Sequence, residues 1–221
     1  MSHKTNSVHR FGGSLLCITA TIGNPAEGFK TAVVMTHSLT TSAEALLDPR
    51  RLYDVDELNG APTLIPQEGG VYAWWFSKSP PGVPMESTAV HEGRRLLYVG
   101  IAPRKPSAAG SVSSRTLRQR LLTHCRGPIA SSTLRRTLAV LLARDLGLSI
   151  TRAASLKLKM PPEHETRLTA WMHENAQVVW STCHAPWEVE DHLIQGTRLP
   201  LNIRGSTDPF AKELSKLRSA V

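Results

Sequence analysis

The chain has 221 residues, of which 41% are hydrophobic and 20% are charged; these proportions are typical of a globular protein that can bury a core of its own. No apolar run approaches the ~18–20 residues that a membrane-spanning helix needs, so we expect no membrane association. The 26 Lys and Arg residues exceed the 18 Asp and Glu residues, for a formal net charge of +8. This excess favours a polyanionic partner, most plausibly nucleic acid, although an arginine-rich proteome would also produce it.

The three cysteines, Cys17, Cys125 and Cys183, lie far apart and form no CxxC pair. Their spacing argues against a disulfide framework or a zinc site and agrees with the reducing cytoplasm, which is the predicted compartment. The apolar patch at residues 14–20 is a weak match to a signal peptide, because no small-x-small cleavage site follows it.

Residues 1–40 have no sustained periodicity and no helix caps, so we predict a weakly structured N-terminal extension. Met35 would be a plausible first residue for the folded part. Residues 41–221 are predicted to form a single domain.

The central prediction concerns two strands rich in β-branched and aromatic residues, Gly70–Phe76 and Arg95–Ile101. Each strand carries one tyrosine close to a glycine, Tyr72 in the first and Tyr98 in the second. Taken alone, these strands fit a plain central hairpin as well as a functional pair. The proline-rich segment 77–94 between them is too long for a tight turn and is predicted to be an extended surface loop.

The other elements are predicted from apolar spacing, caps and breakers. In chain order they are short helices at 42–47 and 52–58, a helix at 115–124 capped by Ser113 or Ser114, a helix at 132–146, an edge strand at 155–160, a helix from Pro161, a strand at 177–182, a helix from Pro186 and a final helix at 208–217.

The helix at 115–124 presents two kinds of face. Leu117 and Leu121 are four residues apart and should face the core, and Arg120 and His124, with the same spacing, should project side by side. A guanidinium and an imidazole on one helix face suit a phosphate group. Exposed Arg and His residues are usually just solvated, so this pair alone is weak evidence.

Glu190 begins a second pattern, because it lies three residues before Leu193 and four before Ile194, beside an apolar stripe. A carboxylate in that position can hold a hard cation at the edge of a core. The alternative is an ordinary acidic first turn shared with Glu188 and Asp191.

In linear order within residues 68–204, the chain contains Gly-Val-Tyr, Tyr-Val-Gly, Leu-x-x-Arg-Leu-x-x-His, Glu-x-x-Leu-Ile and Pro-Leu-Asn. This order resembles the GIY-YIG nuclease superfamily. The resemblance implies an α/β fold with a small three-stranded central β-sheet flanked by helices, with two helices inserted at 128–176. Val71 and Val99 replace isoleucines of the family pattern, which should be harmless at buried positions. The loop between the first two motifs is longer than in the family and would be a substrate-specific or lid element.

The resemblance further implies a metal-dependent endonuclease that hydrolyses DNA, either branched or of specific sequence, with Mg²⁺ or Mn²⁺ as cofactor. Its implied catalytic residues are Tyr72, Tyr98, Arg120, His124, Glu190 and Asn202. Glu190 would be the metal ligand, Arg120 would hold a phosphate oxygen, and Tyr72 would position or deprotonate the water. Tyr98 and His124 would orient the water or phosphate, and Asn202 would fix the backbone of the site.

The basic excess then has an interpretation as surface that follows the DNA phosphates. It includes four arginines near the predicted site, Arg115, Arg118, Arg135 and Arg136. Two alternatives stay open: a non-catalytic nucleic-acid-binding module that keeps the fold, and a basic structural or interaction protein. The presence of all six implied site residues favours the nuclease. The oligomeric state is open, and a double-strand cut by a dimer is one option.

Overall fold

A computed structural model describes residues 39–108 and 113–221. The extension predicted at 1–40 lies outside these residues except for 39 and 40, which already belong to a helix. The helices are α1 (39–47), α2 (Val55–Gly60), α3 (Leu117–Arg126), α4 (Thr133–Leu142), α5 (Pro162–Asn175), α6 (Pro186–Gly196) and α7 (Pro209–Ser219). The strands are β1 (Tyr53–Asp54), β2 (Gly70–Phe76), β3 (Val90–His91), β4 (Arg94–Ala102), β5 (Thr151–Arg152), β6 (Leu158–Lys159) and β7 (Ala176–Thr182).

The main sheet has five strands in the order β1-β7-β2-β4-β3, with every neighbouring pair antiparallel. The α/β class is therefore confirmed, but the prediction of three strands is wrong. The three predicted strands correspond to the central β7, β2 and β4. The outer β1 and β3 have two residues each, which is too short to produce a recognisable alternation of apolar residues.

Strand β2 lies at the centre of the sheet and is buried along its whole length. Its residues alternate between two apolar clusters, with Tyr72, Trp74 and Phe76 on one face and the intervening residues, Val71 among them, on the other. Helices α2, α3, α4, α5 and α7 supply residues to the first cluster, and α1 and α6 supply residues to the second. Covering both faces explains why β2 is continuously apolar instead of alternating with polar residues.

The segment 77–94 is less irregular than its composition indicates. It contains β3, which pairs with the start of β4 through a two-residue turn at Glu92 and Gly93. Both turn residues have positive φ, 46° and 74°, as the tight hairpin turns that match strand twist require. Three buried residues, Pro80, Val83 and Thr88, also anchor this segment, so it is only partly a surface loop.

Three further boundaries differ from the predictions. The short helix predicted at 52–58 starts as strand β1 and becomes helical only at Val55. The strand predicted at 155–160 is β6, which pairs with β5 in a separate two-stranded sheet and not at the edge of the main one. Helix α4 ends at Leu142 and not at residue 146 as predicted, and residues 143–147 form turns.

Helix α3 is fixed by its ends. Thr116 caps its start, because its hydroxyl accepts from the Gln119 backbone N–H and the Gln119 side chain accepts from the Thr116 N–H. The predicted caps, Ser113 and Ser114, are therefore wrong. Gly127 ends the helix as predicted. Within the described residues, no helix is long and apolar enough to cross a membrane.

Candidate active site

Tyr72 and Tyr98 lie on the paired central strands and face the same side of the sheet, with ring centroids 6.5 Å apart. Tyr72 lies opposite Gly100 in the register of β2 and β4. A Cβ atom at Gly100 would lie 2.5 Å from the Tyr72 hydroxyl oxygen and 2.7 Å from Cζ. The glycine of the second motif therefore leaves the space that the first phenol occupies.

The side chains of Arg120 and His124 converge on Tyr72 from α3. The Arg120 Nε–H donates to the Tyr72 hydroxyl oxygen over 3.2 Å, and the His124 Nε2 lies 2.7 Å from the same oxygen. Leu117 and Leu121 are completely buried and hold α3 against the sheet. As predicted, Leu117 and Leu121 face the core while Arg120 and His124 project side by side, and these two side chains contact one phenol.

His124 is completely buried, and its second ring nitrogen is also occupied. Nδ1 lies 2.7 Å from the Ser132 hydroxyl, which in turn accepts a hydrogen bond of 3.1 Å from the Arg135 backbone N–H and thereby caps α4. Burial lowers the pKa of His124 well below 6.5, and Arg120 and Arg135 lower it further. His124 is consequently a neutral link between Tyr72 and the start of α4.

Sequence reasoning missed Ser132 as a member of this site. The available signal was a hydroxyl residue directly before the apolar spacing of α4, which marks a helix cap. Nothing in that pattern indicates that the hydroxyl also contacts an imidazole from another helix. Only the packing of α4 beside α3 brings the two side chains together.

Both phenols are held in their neutral form. Burial raises the pKa of Tyr72 and that of Tyr98, whereas the charge of Arg120 and its hydrogen bonds to both phenols lower them. Glu190 raises both values, so its carboxyl lies within electrostatic range of the pair. The two phenols differ in access, because Tyr72 has no exposed surface and Tyr98 is 7% exposed.

Glu190 projects from α6, the helix that packs on the opposite face of the sheet through Val189 and Leu193. Its half-buried carboxyl makes no hydrogen bond or ion pair with the described residues. Burial raises its pKa to about 7, with a contribution from Asp191, and Arg204 and Arg120 act in the opposite direction. The surroundings of this carboxyl disfavour its charged form, and no cationic side chain among the described residues is bound to it.

Among the described residues, no group of three or more His, Cys, Asp or Glu side chains is placed to hold a metal ion. Mg²⁺, however, commonly binds through one or two carboxylates together with waters and substrate phosphates. A lone, unpaired carboxyl such as Glu190 fits that mode, since oxygen is the donor that the ion prefers.

Asn202 acts on the backbone, as predicted. Its Oδ1 accepts from the Val99 N–H and its Nδ2 donates to the Val99 carbonyl, both at 2.9 Å. The side chain thereby replaces a neighbouring strand along the edge of β4, where β3 does not reach. These two hydrogen bonds hold β4 in place at Val99, next to Tyr98.

The predicted phosphate-following arginines fall into different groups. Arg135 is completely buried and pairs with Glu165 at 2.9 Å, and Arg118 donates to the carbonyls of Ile65 and Thr63. The prediction of Arg135 as open phosphate-binding surface is therefore wrong. Arg118 is half-buried and uses only part of its guanidinium in these bonds. Arg115 is exposed and Arg136 is half-buried.

Comparison with known proteins supports the sequence resemblance. The family model described as the GIY-YIG catalytic domain matches residues 70–220, a span from the start of β2 past the end of α7. Searches among curated proteins and among solved structures found no match.

Proposed function

The chain belongs to the GIY-YIG family, whose catalytic domain indicates nuclease activity in general, and we propose that it is a metal-dependent endonuclease that hydrolyses phosphodiester bonds in DNA. The observation that carries the proposal is the convergence of Arg120 and His124 on Tyr72, next to Tyr98 and within electrostatic range of Glu190. The net charge of +8 supports a polyanionic substrate.

Arg120 is the phosphate-binding group in this proposal. Its Nε–H is bound to Tyr72, and one Nη1–H donates weakly to the Ser131 carbonyl at 3.4 Å. Tyr98 also accepts a hydrogen bond from this guanidinium. Of its five N–H groups, those that remain can donate to a non-bridging phosphate oxygen. Such an interaction strengthens as negative charge develops in the transition state, and removing one typically costs ~10²–10³-fold in rate.

Tyr98 is the phenol that contacts the attacking water, because it alone of the two has exposed surface. Tyr72, which is completely buried, orients Arg120 through a hydrogen bond and lies next to the Tyr98 ring. His124 stays neutral while it holds Tyr72, since complete burial and two neighbouring guanidinium groups oppose an imidazolium. Neither phenol ionises without added positive charge nearby, because burial raises both pKa values.

Glu190 would hold the divalent ion, Mg²⁺ or Mn²⁺. When bound, the ion supplies positive charge that offsets the charge of the scissile phosphate and the leaving oxygen. Asn202 holds β4 in place through the Val99 backbone and thereby fixes the position of Tyr98.

The test is cleavage of supercoiled plasmid by the purified chain with Mg²⁺ or Mn²⁺. We expect nicking or linearisation by the wild type and a loss of at least 100-fold in Glu190→Ala and Arg120→Ala. Glu188→Ala and Arg126→Ala serve as matched controls, since both residues are exposed and lie on the same two helices.

Retention of DNA without cleavage, on branched and single-stranded substrates as well, would instead favour the non-catalytic binding module. Absence of both binding and cleavage at low salt would overturn both functions. Equal cleavage by the wild type and the Glu190→Ala variant would overturn the assigned site.

A further inference from the structure

A cavity lined by arginines lies outside the candidate active site. Arg136 from α4, Arg152 from β5 and Arg218 from α7 line a cavity of about 580 Å³, together with Leu158, Ile203 and Ser215 among others. We name this cavity the arginine cleft. No Asp or Glu is among its lining residues, so no acidic side chain lies between the three guanidinium groups, although Arg152 donates to an oxygen of Val221, the last residue.

The three arginines are bound to different extents. Arg152 is fully engaged, because it donates to several backbone carbonyls, including those of Leu156, Arg218 and Ser219. Arg136 donates through Nε and Nη2 to the carbonyls of Ile129 and Ala130 and keeps its other N–H groups. The half-buried guanidinium of Arg218 makes no hydrogen bond or ion pair with the part of the chain that the structure describes.

Without a bound anion, the proximity of the Arg218 and Arg136 guanidinium groups is unfavourable. Burial lowers the pKa of Arg218, and the neighbouring Arg136 lowers it further, while Tyr98 raises it. A half-buried cation next to a second cation gains most from an anion placed between them. Arg218 has the donors for such an anion and no other use for them.

The cleft lies near the candidate active site. Ile203 lines the cleft and directly follows Asn202, which clamps β4 beside Tyr98. Arg218 lies within electrostatic range of Tyr98 itself. An extended polyanion bound at the site would therefore reach the cleft with its next charged groups.

Resting on the nuclease function proposed above, we propose that the arginine cleft is a second phosphate subsite, in which Arg218 and Arg136 bind a backbone phosphate that flanks the scissile one. DNA places one phosphate per about 3.4 Å of helix axis on each strand, so the neighbouring phosphates of a bound strand are available on either side. The cleft positions substrate and does not touch the reacting atoms.

The test is DNA binding by Arg218→Gln, with Lys216→Gln as the matched control. Lys216 is exposed, lies on the same helix and carries the same charge, but two residues away it points to a different side. Binding of a labelled double-stranded oligonucleotide is measured in EDTA across a range of salt concentrations. We expect Arg218→Gln to reduce the salt dependence, as the slope of log K against log[salt], by about 0.9. Lys216→Gln and the charge-retaining Arg218→Lys should keep the wild-type slope.

Two further readouts separate this role from a structural one. In the cleavage assay, Arg218→Gln should raise KM about 10-fold with little change in kcat. Its thermal midpoint should equal or exceed that of the wild type, because the repulsion from Arg136 is relieved; a lowered midpoint would identify a structural arginine and overturn the proposal. Equal salt slopes for Arg218→Gln and Lys216→Gln would overturn it as well.

The outcomes also distinguish the two proposals. Wild-type protein that binds DNA but never cleaves it contradicts the nuclease function and still allows the cleft to be judged from the salt slopes. Wild-type protein that cleaves DNA with no difference between the two variants contradicts only the cleft. Wild-type protein that binds no DNA contradicts both.

Discussion

At the scale of single residues, the candidate site depends on a small residue as much as on the reactive ones. Gly100 contributes no functional group, yet the Tyr72 ring occupies the space that any side chain at Gly100 would need. Arg120 and His124 hold the phenol on its other side. Tyr72 therefore has no alternative position within the present packing.

The first prediction follows from that contact. We expect Gly100→Ala to displace the Tyr72 hydroxyl, lower plasmid cleavage at least 10-fold and lower the free energy of unfolding by about 1–3 kcal/mol, as overpacking of a core does. Gly60→Ala is the control, because a Cβ there meets nothing within 4 Å. Full activity of Gly100→Ala would contradict the assigned role of Tyr72.

The second prediction concerns the cost of Glu190. Its pKa of about 7 in the folded chain exceeds the ordinary 4.5, so its charged form destabilises the fold above neutral pH. We expect Glu190→Gln to abolish cleavage and to raise the free energy of unfolding by about 1–3 kcal/mol at pH 8, and by less at pH 5, where the folded chain already binds the proton.

Denaturant unfolding at the two pH values measures this effect. The control is Glu188→Gln, an exposed residue of the same helix, which should change stability by no more than about 0.5 kcal/mol. A Glu190→Gln variant that is less stable than the wild type at pH 8 would show that the carboxyl is structural.

At the scale of elements, the site is where α3, α4 and β2 meet. His124 joins them, because one ring nitrogen contacts Tyr72 on β2 and the other contacts Ser132 at the start of α4. Both contacts use the neutral ring. Protonation of His124 would add a buried charge beside Arg120 and Arg135 and would separate these elements.

The third prediction is a pH dependence of stability. The unfolded chain binds a proton at His124 near pH 6.5 and the folded chain only at lower pH, so between those values the unfolded state binds more protons. The free energy of unfolding therefore falls as the pH falls below about 6.5, by up to about 1.4 kcal/mol per pH unit. Glu190 acts in the opposite direction between pH 7 and 4.5, which would mask the effect in the wild type.

The measurement is best made in the Glu190→Gln background. There, denaturant unfolding between pH 7 and 5 should show a steep loss of stability, and the double variant Glu190→Gln/His124→Gln should show a shallower one. Equal slopes in the two proteins would mean that His124 titrates normally and is not confined to its neutral form.

At the scale of the whole molecule, helices α4 and α5 support helix α3. The buried guanidinium of Arg135 bonds to the His124 and Cys125 carbonyls at the end of α3 and pairs with Glu165 on α5. The Glu165 carboxylate also accepts from the Ile129 N–H at 2.8 Å. One ion pair thus ties three helices together.

The fourth prediction is that this pair is costly to break. Arg135→Ala should lower the free energy of unfolding by about 3–5 kcal/mol, because it removes several bonds and leaves Glu165 without its partner. The exposed pair of Lys105 and Asp191, at 3.7 Å, provides the comparison: Lys105→Ala should cost less than about 1 kcal/mol. Equal effects in denaturant unfolding would contradict the structural role of Arg135.

Sequence alone predicts the central strands, the two faces of α3 and the residues of the candidate site except Ser132. Those features arise from local periodicity and from short motifs that survive in linear order, as with Leu117 and Leu121 against Arg120 and His124. The burial of strand β2 could likewise be predicted from the sequence, because residues on both of its faces are apolar.

What those residues contact depends on the tertiary structure. The two-residue edge strands form through pairing with distant segments, Arg135 changes from a surface arginine to a buried one through α5, and Ser132 meets His124 through the packing of two helices. The position of Arg218 within electrostatic range of Tyr98 likewise depends on where α7 docks. Contacts between residues far apart in sequence leave no periodic trace, because they are set by how the elements pack and not by the spacing within any one of them.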